Sequence, residues 1–254
     1  VLIIHLLTSL PMLIVTIFNL EINIVLRISG RIRKNYFRSI FWKMCKNKIN
    51  FITCPSVATK NDIIRMNIFD KNKIVELYDP VLEPKKINKL KSQSIDEGNL
   101  INKKIILGIG RLTKQKNFSQ LIQSFNKINQ KYPEYSLVIL GQGEEQAKLM
   151  KSINYYNLKN KVFLLGYKEN VYSYINQSEL FISCSKYEDP GASIIQSIFC
   201  NKFVISSNCK NGPSEILSNG NGGILFNLEN DTIENAFEKY IKTSLSEKKK
   251  YLVN

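Results

Sequence analysis

Arg111 and Lys116 stand between a run of buried-strand type, Lys103 to Gly110 (KKIILGIG), and a helix opened by Asn117. Phe118, Leu121, Ile122 and Phe125 give that helix one apolar face. Two cations beside a helix amino terminus supply what a diphosphate requires, charge neutralisation and oriented N–H donors. A second cluster lies in Ser183 to Leu217. Its turn, Glu188-Asp189-Pro190-Gly191, joins the apolar run Leu180-Phe181-Ile182 to a helix over Ala192 to Cys200. Gly191 lets a ligand approach the backbone closely, and the helix start offers N–H groups suited to phosphate. Glu188 precedes the helix and Gln196 lies about one turn inside it. The two side chains can therefore reach different parts of one ligand. In a parallel α/β sheet such strand-to-helix turns gather at the carboxyl edge, where ligands bind.

The elements that must hold these residues follow an alternating pattern. Val1–His5, Met12–Leu20 and Ile22–Ile28 read as strand, helix and strand, the unit that builds a parallel sheet. Phe51–Pro55 is a further strand, Ser56 caps a helix running to about Met66, and Asn72–Tyr78 is a strand. Lys85 to Asn99 is polar, charged and without periodicity, and reads as a linker. Strands then recur at 103–110, Ser136–Leu140, Lys161–Gly166, 180–182 and Phe203–Ser206. The expected fold class is α/β, with an amino-terminal domain over 1–84, a linker over 85–100 and a second domain over 101–254.

The chain has 254 residues, enough for two cores, and 36 Lys+Arg against 21 Asp+Glu give a formal charge of +15. Residues 1–60 carry nine basic side chains and one acidic one, Glu21. Within them Arg31 to Asn50 forms a basic helix with Phe37, Ile40, Phe41 and Met44 at helical spacing. Arg33, Lys34, Arg38 and Lys43 supply its cations and Trp42 suits an interface, a composition fit for an anionic membrane surface as well as for a core helix with solvated lysines. Val1 to Leu20 is uncharged and long enough to span a bilayer, yet His5, Pro11 and Asn19 and the α/β parse argue against a span. The five cysteines, Cys45, Cys54, Cys184, Cys200 and Cys209, lack paired metal-ligand spacing and read as buried thiols; no metal is expected. Gly108-Ile109-Gly110 is a poor dinucleotide fingerprint, because Thr113 stands where the third glycine belongs.

Glu188, seven residues, then Gln196 resembles the E-x7-E signature of the retaining family 4 glycosyltransferases, with Gln in place of the usual second Glu. Gly110-Arg111 with Lys116-Asn117 resembles that family's G-R-x-x-x-x-K-(N/G) motif, and Leu137 to Gly143 its L-x-I-x-G-x-G segment. Residues 199–217, with their Gly-Pro-Ser-Glu turn, and Gly222 to Phe226 are similar to its later segments. The resemblance implies a GT-B fold, two Rossmann-like domains of which the first is incomplete and entered partway through, and a chain that looks like a fragment. It implies sugar transfer, of the hexosyltransferase class, from a UDP- or GDP-sugar to a glycan or lipid-linked acceptor with retention at the anomeric carbon and without a cofactor. Surface polysaccharide or lipopolysaccharide synthesis, in the cytoplasm or on the inner face of the membrane, is the implied setting, with no nucleic acid as partner.

The same resemblance implies roles. Arg111 and Lys116 neutralise the departing diphosphate, and Glu188 holds sugar hydroxyls and favours positive charge at the ring. Gln196 holds the ribose, Gly191, Ala192 and Ser193 lend backbone N–H groups, and Gly110, Gly141 and Tyr167 line the donor. His5 lines the acceptor side on this resemblance, with packing at its strand end as the alternative. Two other classes remain open at this point, a non-catalytic basic module for membrane surfaces or nucleic acid and a dinucleotide-binding oxidoreductase.

Overall fold

The computed structural model of the chain describes residues 1–5, 10–30, 36–95, 97, 100 and 103–253. They form two units. The first comprises Val1–Asp79 together with Glu188–Pro190 and Lys210–Glu215; the second comprises Pro80–Tyr187, Gly191–Cys209 and Ile216–Asn254.

In the first unit a four-stranded parallel sheet runs in the order β1 (Leu2–His5), β2 (Ile24–Arg27), β3 (Ile49–Cys54), β4 (Ile74–Glu76). Between the strands lie α1 (Leu10–Ile17), α2 (Tyr36–Cys45) and α3 (Val57–Arg65). Ile4, Met12, Val15, Ile24, Leu26, Ile52 and Ile63 belong to the core, so within the uncharged start of the chain Leu2–His5 is a strand and Leu10–Ile17 a packed helix. Among the described residues no helix is long and apolar enough to cross a membrane. The expected cap of α3 is present: Ser56 is extended and its hydroxyl accepts the Thr59 N–H. The Arg27 guanidinium, one of the nine basic side chains of residues 1–60, is buried; it donates to Leu77 O at 2.6 Å and pairs with Asp79 Oδ1 at 2.6 Å.

The second unit begins with a departure from expectation. Where the sequence reads as a linker over 85–100, α4 (Pro84–Lys91) folds with Pro84 in its first turn and Ile87 buried. The sheet that follows has six parallel strands in the order β10 (Ile224–Phe226), β9 (Phe203–Ser207), β8 (Leu180–Ser183), β5 (Lys104–Ile109), β6 (Tyr135–Leu140), β7 (Val162–Leu164). Its helices are α5 (Phe118–Lys131), α6 (Gln146–Tyr155), α7 (Val171–Gln177), α8 (Ala192–Phe199), α9 (Pro213–Ile216, shared with the first unit), α10 (Ile233–Lys242) and α11 (Leu245–Val253). α5 buries Phe118, Leu121, Ile122, Phe125 and Ile128, the face its spacing predicts. The chain runs outward from β5 through β6 and β7, then returns to start again at β8 on the other side of β5. This reversal is a topological switch point, and it places the loops after β5 and β8 side by side at the carboxyl edge.

The four cysteines Cys45, Cys54, Cys184 and Cys200 are buried and Cys209 is half-buried. Burial pushes the Cys54 thiol up to about 11, against the lowering pull of Arg27. A raised thiol pKa means that the fold holds the proton. This contribution to stability is therefore complete below about pH 9 and is lost as the pH climbs through about 11. At pH 8 we expect Cys209 to react first with a thiol reagent in the native chain, with the other four released only by denaturant. Rapid native labelling of Cys54 would contradict this placement.

Candidate functional site

The loop after β5 is built on glycine. Gly110 (φ +156°) turns the chain, and a Cβ placed there would stand 3.0 Å from Lys116 Cδ, so the aliphatic stem of Lys116 lies across the strand end. Arg111 next to it is exposed. Asn117 holds the N-cap position of α5 but in a left-handed conformation (φ 57°), and its amide donates to Gln120 Oε1 instead of capping. The amino end of this fourteen-residue helix thus keeps N–H groups that its own cap does not satisfy. Thr113 Oγ1 and Ser119 Oγ are buried in the same stretch without a hydrogen-bond partner among the described residues. Unpaired buried hydroxyls of this kind gain when a polar group binds beside them.

The neighbouring loops brace this one. Leu112 N–H donates to Gln142 O at 2.9 Å, and Gly141 N–H donates to Gly166 O at 2.7 Å. From the β8 side, Lys186 N–H donates to Gln115 O at 2.8 Å, Gln115 Nε2 donates to Tyr187 O at 2.9 Å and Cys184 Sγ donates to Lys116 O at 3.2 Å. Gly110, Arg111, Lys116 and Gly141 are accordingly brought together at the switch point. Tyr167, after β7 and beside Gly166, is 70% exposed on the same edge of the sheet.

α8 starts at Gly191, whose φ of 112° belongs to the region that disfavours a side chain. Ala192 is exposed and Ser193 half-buried in its first turn. Gln196 lies one turn in, where its amide donates to the Tyr172 hydroxyl of α7 at 3.2 Å. With Nε2 engaged, the amide carbonyl remains to accept from a ligand hydroxyl. Burial raises the Tyr172 pKa, so the phenol stays neutral. Tyr172 was not anticipated; nothing in its sequence position marks it.

In the first unit Glu188 is buried and its N–H donates to Lys210 O at 3.2 Å. The next residue, Asp189, accepts the Gly30 N–H on Oδ2 and the Thr59 hydroxyl on Oδ1 at 2.9 Å, with Ser56 Oγ 3.3 Å from Oδ1. Burial raises the Asp189 pKa, opposed by the Gly30, Thr59 and Ser56 hydrogen bonds and by Arg27. His5 ends β1 and is exposed, so it is not packed at the strand end.

The basic helix is corrected in part. Arg33 and Lys34 lie outside the described residues. Trp42 is 1% exposed and packs beside Phe69, which removes it from any interface, and Phe41 packs partly against the core. Cys45, one turn on, is buried with Trp42. Phe37, at 82% exposed, together with Tyr36, Ile40 and Met44, forms the outward apolar face, with Lys43 exposed beside it and Arg38 half-buried over the Trp42 ring. Among the described residues no cluster of three His, Cys, Asp or Glu side chains is placed to hold a metal.

Residues 91–253 match the family described as glycosyl transferases group 1. The chain belongs to this family. A Methanocaldococcus jannaschii protein named as an uncharacterized glycosyltransferase is 36% identical over 162 residues, 64% of this chain and 37% of its own length. A Campylobacter jejuni N-acetylgalactosaminyltransferase acting on N-acetylgalactosamine-N,N'-diacetylbacillosaminyl-diphospho-undecaprenol is 34% identical over 146 residues, 58% of this chain and 38% of that enzyme. The chain thus matches well under half the length of these relatives. In fold it is similar to Anabaena HepE in complex with UDP, with a TM-score of 0.77 at 18% identity over 98% of this chain and 71% of HepE. The architecture is GT-B, and family membership removes the oxidoreductase reading.

Proposed function

We propose that this group 1 glycosyltransferase moves a sugar from a nucleotide diphosphate donor to a glycan or lipid-linked acceptor of a bacterial surface polysaccharide or lipopolysaccharide, with retention at the anomeric carbon. The observation that carries the proposal is the loop after β5, where Arg111, the Lys116 stem over Gly110 and the uncapped amino end of α5 converge. In the reaction the bond from the anomeric carbon to the diphosphate oxygen breaks and a bond to the acceptor oxygen forms. The acceptor proton ends on the released diphosphate. Arg111 and Lys116 stabilise the charge that develops on the leaving group. Glu188, three residues before Gly191, holds the sugar and favours the positive charge at its ring. Gln196, neutral and steadied by Tyr172, accepts a ribose hydroxyl on its carbonyl, and the start of α8 contributes N–H groups from Gly191, Ala192 and Ser193. Tyr167 meets the base, and His5 lies toward the acceptor. HepE, seen with UDP and glucose, supports a uridine donor.

The test is incubation of the chain with UDP- and GDP-hexoses and a lipid-diphosphate saccharide, with the anomeric configuration of the product read by NMR. Inverted product, or no nucleotide binding by folded chain, would remove the proposal. A lipid-linked acceptor would bring the enzyme to the membrane, and the outward row of α2 with Lys43 is the face we assign to that surface. We expect co-sedimentation with anionic vesicles, weakened several-fold by Phe37→Ser. Equal binding to zwitterionic vesicles would argue against the electrostatic part.

A further inference from the structure

Glu188 belongs to a three-residue stretch, Glu188–Pro190, that is held inside the first unit by contacts of its neighbours. Asp189 spends both carboxylate oxygens on this, one on the Gly30 backbone N–H and the other on the Thr59 hydroxyl in the first turn of α3. Thr59 Oγ1 in turn receives Asn211 Nδ2 at 3.2 Å. Pro190 is confined from the other side, since a Cβ on Gly212 (φ +134°) would stand 1.7 Å from Pro190 O. A carboxylate that accepts from a backbone amide and a helix-start hydroxyl has few orientations open to it, and charge-assisted bonds of this type are the stronger ones. We propose that Asp189 is a positioning residue: its two-sided hold on Gly30 and Thr59 sets the backbone of Glu188, and through it the placement of the Glu188 carboxylate against the donor sugar. The inference rests on the donor-site reading above and adds the group that fixes its acidic member.

The consequence is a separation of nucleotide affinity from sugar recognition. The hydrogen-bond partners of Asp189 are Gly30, Ser56 and Thr59, none of them in the loop after β5, so loosening it leaves the grip on the nucleotide alone unchanged. Asp189→Asn keeps the size but offers one acceptor oxygen where the carboxylate offers two, so it cannot accept from Gly30 and Thr59 together. Thr59→Val removes the hydroxyl and keeps the shape, and Thr59→Ser restores it.

The experiment uses the whole chain, with calorimetric titration of UDP and GDP and of a panel of their hexose conjugates. Amide exchange at Gly30 is read by NMR on the ligand-free protein. The expected result is that Thr59→Val and Asp189→Asn bind the nucleotide within about twofold of the parent, yet lose about tenfold in affinity or turnover for the sugar donor, a difference of about 1.4 kcal/mol. Thr59→Ser returns to the parent value. Gly30 exchanges faster in Asp189→Ala, which removes both acceptor oxygens. A merely structural role would lower the melting temperature and leave the ratio of donor to nucleotide affinity in the folded protein untouched, which overturns the inference. Unchanged Gly30 exchange also overturns it, whatever the ligand results. If the parent binds no nucleotide, the donor-site reading falls and the assignment of Glu188 falls with it, while the Gly30 result still reports whether Asp189 fixes the turn.

Discussion

Gly141→Ala is expected to destabilise the second unit by about 4 kcal/mol or more and to abolish nucleotide binding in any protein that still folds. A Cβ at this position would lie 1.9 Å from Gly110 O and 2.8 Å from Gly110 C, on a residue whose φ is +137°. The obstacle is backbone, and it cannot retreat. Gly110 N–H is bonded to Leu140 O at 3.0 Å, and Gly141 N–H is bonded to Gly166 O, so any shift breaks the exits of three strands at once. Gly166→Ala is the control. It also has a positive φ, +71°, but the nearest atom to its new methyl would be Gln142 Nε2 at 3.8 Å. Only the conformational term remains there, about 1–2 kcal/mol. Urea unfolding followed by far-UV dichroism separates the two, and equal losses for both would show that the Gly110 contact does not govern.

The joint Arg111→Ala, Lys116→Ala variant is expected to weaken nucleoside diphosphate binding by about two to four decades. A hydrogen bond to a charged group contributes about 1.5–3 kcal/mol. Two of them removed from one diphosphate therefore amount to about 3–6 kcal/mol. The loss is to be read in protein shown to be folded: Arg111 is exposed, and the Lys116 stem lies over Gly110. Titration calorimetry on the whole chain with UDP and GDP reads the loss. Binding within about threefold of the parent would place the diphosphate away from the loop after β5.

The second unit was legible because each strand is a short run of large apolar residues and each helix carries a single apolar stripe. α5 buries the residues its spacing names, and the loops that follow β5 and β8 end where a parallel sheet gathers its ligand contacts. Legibility failed where the pattern was ambiguous or the partner distant. α2 has apolar residues nearly all round, so periodicity alone did not say that Trp42 and Cys45 face inward while Phe37 and Met44 face out. In α4 the lysines outnumber the apolar residues, and a proline at the first helical position was the cue that stood against a linker. Gln196 reads as a lost charge until its bond to Tyr172 is seen. Asp189 has no local signal at all, because its partners Gly30 and Thr59 lie 159 and 130 residues earlier.

The same long reach has a consequence for how the molecule can be made and divided. The amino end of α3 is completed by residues near the far end of the chain: Asp189 at Thr59, and Glu215, which accepts the Val57 N–H at 3.0 Å and the Tyr78 hydroxyl at 3.1 Å. A growing polypeptide therefore carries an unfinished first half until residue 215 has left the ribosome, and such late closure slows folding and prolongs exposure of apolar surface. For the same reason a cut after Asp79 yields no self-sufficient half. The shorter piece loses the carboxylates that satisfy its helix, and the longer one carries Asp189 and Glu215 with nothing to receive.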